Sequence, residues 1–412
     1  SQFDFYGAGF ATGPVGEWLF TGAFNSDRTL NREGDGTTRL FRGPQTTEQV
    51  YPVYGDSSST DHTTSSKDSL YLRLERSPGV LGAPADFLMW GDYTTEEFAR
   101  PSQEFSAVSR NLHGFKTNFT FGNFQLTGLF SDDTDGFQRD AIAPDGTSGF
   151  YFLSRQLLVP GTEQIAIELE ELLRPGTVVQ REVLTRGIDY DIDYDRGSLI
   201  FRQPLLRTAI ARDIPGVEDG ETLVRRIVAT YQFESDGSNT SIYGGRVVYH
   251  FSRDFETESW LGATYFKENQ GTRQFELYGV DARIALGTNS ELIAEYAHSS
   301  NDSSTLGDIS GSAYRLEFNG QFSEKVTGRA YWRTAEEGFS NDATTSFVPG
   351  QTRYGAEVRA DFSTSTTFRF QFDREENFGT APQVLTELED LLDPRAEPVP
   401  GQKVDNSLTT IT

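Results

Sequence analysis

The chain of 412 residues contains no cysteine and a single methionine, Met89. The first absence excludes a disulfide framework and thiolate chemistry. It suits an envelope protein that folds without relying on thiols. Long apolar runs are missing as well: no stretch approaches the roughly 18 apolar residues that a membrane helix requires. Positive charge is scarce, with 36 Lys and Arg against 61 Asp and Glu and a formal net charge of -25. So acidic a chain repels a phosphate backbone, which argues against nucleic acid as a partner. Hydrophobic residues make up only 36% and mean hydropathy is -0.49. A soluble chain of this length ordinarily holds a larger apolar share to fill its core. A transmembrane barrel does not need it, because its lumen is polar and wet. What the chain does have in quantity is aromatic or small: 32 Phe, 17 Tyr and 40 Gly.

From Ser241 to Arg374, apolar and polar residues alternate with period two, the pattern of strands with two different faces. Tyr314, Leu316, Phe318, Gly320 and Phe322 share one face, and Arg315, Glu317, Asn319 and Gln321 the other. Tyr354, Ala356, Val358, Ala360 and Phe362 oppose Arg353, Glu357, Arg359 and Asp361. Phe368, Phe370 and Phe372 oppose Arg369, Gln371 and Asp373. Tyr278, Val280, Ala282 and Ile284 oppose Asp281 and Arg283, and Val326, Ala330 and Trp332 oppose Arg329 and Arg333. Weaker copies lie at Ser241–Phe251, Thr257–Phe266 and Glu291–His298. Strands of about nine to eleven residues cross a bilayer at a barrel tilt. A soluble antiparallel sheet with one wet face also alternates. It gives no reason for the connections, which are short at Ser252–Glu256, Gly287–Ser290, Ser323–Glu324 and Ser363–Ser365. The intervening ones, Lys267–Gln274, Ser299–Gly311, Thr334–Thr352 and Glu375–Asp405, are long. Short turns on one side and long loops on the other are the layout of outer-membrane barrels.

The first part fits the same scheme, with strands at Phe3–Ala11, Glu17–Asn25, Leu70–Glu75 and Asp86–Asp92. Glu104–Phe121 reads as one long strand carrying Phe105, Phe115, Phe119 and Phe121 on one face, and a tight Gly122-Asn123 turn leads into Phe124–Phe130. Between Ser131 and Asn239 the rhythm breaks. Asp189, Asp191, Asp193 and Asp195 fall on one face, which cannot meet lipid. Asp195-Arg196-Gly197 suits a hairpin turn with Ser198–Phe201 as its return strand, and Arg225–Phe233 gives another strand. Glu163–Arg174 reads equally as a strand or as an amphipathic helix. The expectation is an all-β protein: an antiparallel transmembrane β-barrel of about fourteen or more strands, possible as part of a larger barrel, with a small β-domain inserted. Its parts are a first strand group at 1–130, the insert or plug at 131–239, a second strand group at 240–374, and a long loop with the start of a further strand at 375–412. Both ends fall in mid-pattern, which predicts further barrel sequence or a partner on each side.

In this architecture the chain resembles large Gram-negative outer-membrane barrel proteins, porin-like or secretion-translocon-like. The stretch from Gly187 to Phe201, with Asp189-Tyr190, Ile192-Asp193-Tyr194 and Gly197, is similar to a hairpin of big barrels with surface or plug β-domains, the gliding-motility secretion translocons among them. The resemblance implies a bacterial outer-membrane location and outer-membrane lipid as partner, with other envelope proteins or further segments of the same barrel beside it. It departs from TonB-dependent transporters, since no plug with their characteristic start is visible.

No catalytic constellation appears. His62, His113, His250 and His298 lie scattered with no metal-ligand spacing and read as surface or girdle residues. No cofactor is expected, apart from Ca2+ in acidic loops: Asp132, Asp133 and Asp135 before Gly136 are the candidate oxygen ligands. The charged face is the functional candidate, with Asp281, Arg283, Glu295, Arg315, Glu317, Arg329, Arg333, Arg353, Glu357, Arg359, Arg369 and Asp373 expected to line a pore. Such a wall sorts solutes by charge and width, or braces the lumen, or holds a plug. Three functions follow as expectations: a passage for solutes or exported protein, a surface anchor for structural or adhesive purposes, and a secreted glycan-binding β-protein.

Overall fold

The computed structural model describes residues 7–26, 49–52, 59–62, 70–132, 136–172, 174–212, 214, 217, 220, 222–233, 241–269, 273–303, 307–344, 347–363, 366–378 and 403–411. Apart from one short 3-10 turn at Glu96–Phe98, the described secondary structure is β, and no described helix is long and apolar enough to cross a membrane. β1 (Ala8–Val15) and β2 (Trp18–Asn25) form a hairpin, and β3 (Gln49–Pro52) and β4 (Ser59–His62) a small separate ribbon. β5 (Leu70–Arg76), β6 (Asp86–Thr94), β7 (Asn111–Phe121) and β8 (Phe124–Ser131) continue the sheet that β1 and β2 begin.

Eight short strands follow. They are β9 (Gly136–Ile142), β10 (Tyr151–Phe152), β11 (Gln164–Glu171), β12 (Arg174–Val183), β13 (Tyr190–Asp193), β14 (Ser198–Phe201), β15 (Thr208–Ile210) and β16 (Thr222–Phe233). The main sheet then resumes with β17 (Ser241–Ser252), β18 (Ser259–Asn269), β19 (Arg273–Ala285), β20 (Ser290–Ser303) and β21 (Gly307–Ser323). It ends with β22 (Val326–Ala335), β23 (Gln351–Ser363), β24 (Thr366–Phe378) and β25 (Lys403–Ile411).

Among the described residues the main sheet has 15 strands, each antiparallel to the next, and β8 pairs directly with β17 across the intervening segment. Its outer face is apolar and open. On β17, β21 and β23 an outward Tyr (Tyr243, Tyr314, Tyr354) stands eight residues before an outward Phe (Phe251, Phe322, Phe362), with no outward charge between them. At about 3.4 Å per residue this is roughly 27 Å along the strand, or about 20 Å of height at a barrel tilt, close to the apolar band of a membrane barrel. The tyrosines meet across strands, as in Tyr265–Tyr278, Tyr296–Tyr314 and Tyr314–Trp332. One step beyond this girdle the outward positions become charged: Lys267 bonds Glu276 at 2.5 Å, and Arg374 pairs with Glu376. An apolar belt edged by aromatics and then by charge is what hydrocarbon and its two interfaces select. The chain therefore has the fold of a transmembrane β-barrel wall.

The wall is curved. Residues 95–110, between β6 and β7, bring Glu104 within 2.9 Å of Arg333 on β22. From β7 to β22 is seven strand steps (β8, β17, β18, β19, β20, β21, β22), about 34 Å along a flat sheet. The seven residues from Glu104 to Asn111 reach at most about 25 Å. On a flat sheet this stretch and both side chains would have to be nearly fully extended, whereas a sheet curled around the segment, with its charged face concave, needs no such extension.

Three sequence expectations need correction. Glu104–Phe121 is not one strand: only Asn111–Phe121 is, and Phe105 is buried inside with Phe339 and Phe347 on its ring. The connections expected to be long at Lys267–Gln274 and Ser299–Gly311 are mostly strand, because β18 to β21 pair right up to residues 269, 273, 303 and 307. Nor is the concave face wholly polar. Phe266, Phe275, Leu277 and Ile242 point inward and pack with Phe98, Phe105, Val108 and Phe339 into an apolar core. These inward apolar positions sit toward the long-loop end, where the chain folds back inside and needs something to pack on. Glu163–Arg174, open between strand and helix, contains the strand β11, paired on both sides.

The facing makes a direct prediction. Phe318→Arg or Val358→Arg puts a charge on the lipid face at mid-depth, which costs about 2–4 kcal/mol. Both variants should fail to assemble in membranes, whereas Glu317→Gln and Arg359→Gln should assemble; heat-modifiable gel migration of the extracted protein reads the difference.

Candidate functional site

Bending a loop into a barrel strands its backbone polar groups away from water, so each needs a partner. Residues 95–110 find theirs on the wall. The Glu295 carboxylate of β20 accepts the backbone N–H groups of Glu104 (2.8 Å), Phe105 (3.1 Å) and Ser106 (2.8 Å), and the Ser106 hydroxyl at 2.7 Å. Asp281 of β19 accepts from the Ser102 hydroxyl at 2.6 Å, and Gln103 donates to Thr264 of β18. Asn341 donates from the 336–350 connection to the carbonyls of Phe105 and Ala107. Gly279 makes the approach possible: a Cβ there would lie 2.3 Å from the Ser106 Cβ.

Beneath this segment the wall is cross-linked. Arg246 of β17 reaches over Gly262 of β18 to Asp281 with two bonds, at 2.6 and 2.9 Å, and both side chains are almost fully buried. The indole of Trp260 donates to the same carboxylate. Arg110 pairs with Glu268 at 2.8 Å, its guanidinium 3.8 Å from the Phe137 ring centre.

The eight short strands form two small sheets. β12, β11, β16 and β15 pair in that order with β9 also on β16, and β10, β14 and β13 form the other sheet. Ile165, Ile167, Tyr190, Ile192, Tyr194, Leu199, Ile227 and Tyr231 make their shared core. The hairpin from Tyr190 to Phe201 turns at Gly197, whose φ of 62° is left-handed. Burial raises the Tyr194 hydroxyl's pKa well above its usual value, with Glu163 adding to it, so it stays a neutral donor to Glu163.

This unit touches the wall's inner side. Glu171 at the end of β11 pairs with Arg353 of β23 at 3.3 Å, Asn111 donates to the Glu163 carbonyl, and Arg139 donates to the Thr344 carbonyl. Between it and strands β20 to β24 lies a cavity of about 930 Å3, with Glu171, Val178, Val179, Ile214 and Val217 on one side.

The structure divides the charged residues expected from the sequence between two zones, with Arg283 apart from both. Glu317, Arg329, Arg333, Arg353, Glu357, Arg359, Arg369 and Asp373 line the cavity. Asp281, Glu295 and Arg315 lie on the same face but are covered by the inward segment. Arg283 pairs with Glu291 and Glu258 over the Trp260 ring, nearer the short-turn side.

In the cavity zone Glu317 binds Arg315 and Arg329, Arg369 binds Glu357 at 2.9 Å, and Asp373 accepts from Tyr331. Arg359 pairs with Asp361 and is largely exposed. Glu104, Glu171 and Arg246 were not anticipated. Arg246 falls on the inward parity of β17 and was readable there. Glu104 and Glu171 act through tertiary placement, of which the sequence pattern carries no trace.

His250 faces inward, bonded to Gln125 and buried, so it is no surface or girdle residue. His113 is buried too, bonded to Asp92 at 2.6 Å. His298 is half-buried against Ser312, and the surroundings of His62 lie outside the described residues. Of the Ca2+ candidates, Asp132 is exposed, and Asp133 and Asp135 lie outside the described residues. Among the described residues no group of three or more acids or histidines is placed to hold a metal ion.

No family model matches the chain, and no curated protein does. Among solved structures it is similar to Acinetobacter baumannii OccAB3, at 11% identity and a TM-score of 0.33 over 98% of this chain and 78% of that one. Pseudomonas aeruginosa OccK2 (OpdF) aligns at 9% identity and a TM-score of 0.31, over 88% and 71%. The P pilus usher (PapC) translocation pore aligns at 10% identity and 0.30, over 98% and 73%.

Two outcomes are expected. Asp281→Ala leaves a buried guanidinium uncompensated and should lower stability by about 3–5 kcal/mol, most of which returns when Arg246 is also made apolar; denaturant unfolding in lipid measures both. Glu104 is pulled two ways: burial raises its pKa, while Arg333 and Arg315 lower it, and the arginines win, leaving it below the ordinary 4.5. A depressed carboxyl contributes stability above its unfolded pKa and loses it as pH falls through the folded one. Amide exchange in residues 95–110 should therefore be slow at pH 5 and above and quicken only in stronger acid, while Glu104→Gln should exchange fast throughout.

Proposed function

We propose that the chain belongs to the bacterial outer membrane and provides a passage for solutes or exported protein, with the inserted β unit as its plug. The observation that carries this reading is the reversal of faces: an apolar belt exposed on the outside, and on the inside ion pairs surrounding a cavity. A barrel that served only as an anchor would have no use for a cavity of about 930 Å3 against its inner wall. The mechanism is passive. A polar lumen admits water, fixed charges sort what enters by sign and width, and the 95–110 segment and the inserted unit narrow the way. The chain's partner is then outer-membrane lipid, with no cofactor in the transport step.

The topology offers a clean test. Ser131 and Ile242 are paired across β8 and β17, so residues 133–240 can be replaced by a two-residue Asn-Gly turn without disturbing the wall's register. In planar bilayers the full chain should show rare, small conductance steps, and the excised form frequent and larger ones. Silence from both, with assembly intact, would leave the barrel as an anchor.

A further inference from the structure

The cross-strand register sets Arg315, Arg333 and Arg353 directly opposite one another on β21, β22 and β23. Like charges facing each other on adjacent strands repel. A wall that needed only bracing would alternate its signs, as the neighbouring row does where Arg329 faces Glu357. Arg315 has the wall's own Glu317 at 2.9 Å, but Arg333 and Arg353 take carboxylates from elements that are not part of the wall. Glu104, on the inward segment, pairs with Arg315 at 3.3 Å and with Arg333 at 2.9 Å. Glu171, on the inserted unit, pairs with Arg353 at 3.3 Å, closer than the wall's own Asp373 at 3.7 Å. The cavity opens on this row, and farther along it Arg359 and Arg369 face each other in the same way.

We propose that this cavity is a binding site for a small carboxylate-bearing solute, which engages Arg353, beside Arg333, by displacing Glu171 and so loosens the inserted unit from the wall. Guanidinium groups hold carboxylates with two parallel bonds, and Glu171 is a tethered version of that ligand. The four other acids lining the cavity already have wall partners. Glu317 is held between Arg315 and Arg329, Glu357 by Arg369 and Glu291 by Arg283, while Asp373 accepts from Tyr331 and lies farther from Arg353 than Glu171 does. A solute carboxylate that takes the place of Glu171 replaces one ion pair with another and leaves the inserted unit without that attachment. The proposal deepens the plugged-passage reading by naming what enters and what it pushes aside.

Its test separates the two. Succinate binding is measured by calorimetry on the full-length protein in detergent, in a buffer without carboxylate, with choline as the cationic control; no conductance is needed. Removing the tethered competitor with Glu171→Gln should tighten succinate by about fivefold to tenfold, while Arg353→Gln should weaken it at least about tenfold. Arg359→Gln, at an exposed position that tolerates the change, should weaken it several-fold in a fully assembled protein. In bilayers, succinate should raise the opening frequency of the wild type, and Glu171→Gln should open without it. Weaker succinate binding in Glu171→Gln, unchanged binding in both arginine variants, or equal binding of choline would overturn the site. Bilayer silence accompanied by the predicted affinity shifts would overturn the passage and leave the site standing.

Discussion

Each wall strand answers to two solvents within a single period of two residues. Hydrocarbon on one side admits no unpaired polar group, and the interior on the other side must hold charge without leaving it isolated. Neighbouring strands share one hydrogen-bond ladder, so a one-residue slip would turn a strand's inward arginines to lipid and its outward phenylalanines inward. The strict register from β17 to β24 follows from that penalty. The fifteen-strand sheet thus owes its fidelity less to pairing strength than to the cost of any alternative.

The interior solves a different problem. A curved wall leaves space that backbone must enter, and backbone brings donors and acceptors that need partners. Glu295 shows the solution most economically, since one carboxylate receives three consecutive amides and a hydroxyl. Asp281 does similar work for Ser102, Trp260 and Arg246. The same residues that brace the wall therefore position the inward segment, and the charges left over face the cavity. Structural and functional roles are divided by location on one surface rather than by residue type.

The period-two pattern made the wall legible: the outward apolar sets on β19, β21, β22, β23 and β24 are exposed or half-exposed, and the inward charges are buried or paired, Arg359 being exposed but paired with Asp361. Period two reports which way a side chain points and is silent about what lies opposite. Hence Arg315, Glu317 and Arg353 were readable as inward, while their partners Glu104 and Glu171 were not. Glu104 was misread for a related reason. Phe105, Phe115, Phe119 and Phe121 share a parity, and nothing local distinguishes a phenylalanine facing lipid from one packed inside against Phe339. The hairpin at Gly197 was legible because its turn chemistry is local. The strand β11 was ambiguous because Ile165, Leu169 and Leu172 also satisfy a helical spacing.

The direct pairing of β8 with β17 bears on how the molecule is built. Joining Ser131 to Ile242 closes a loop of about 110 residues, and for a disordered chain that closure costs about 4 kcal/mol in entropy. If the inserted unit has already collapsed around Ile165, Tyr194 and Tyr231, its two ends emerge close together on β9 and β16, which are paired neighbours. Most of that entropic cost is then met before the wall forms. Maturation in this order, compact insert first and membrane sheet second, lets the wall zip past the insertion as though it were a tight turn.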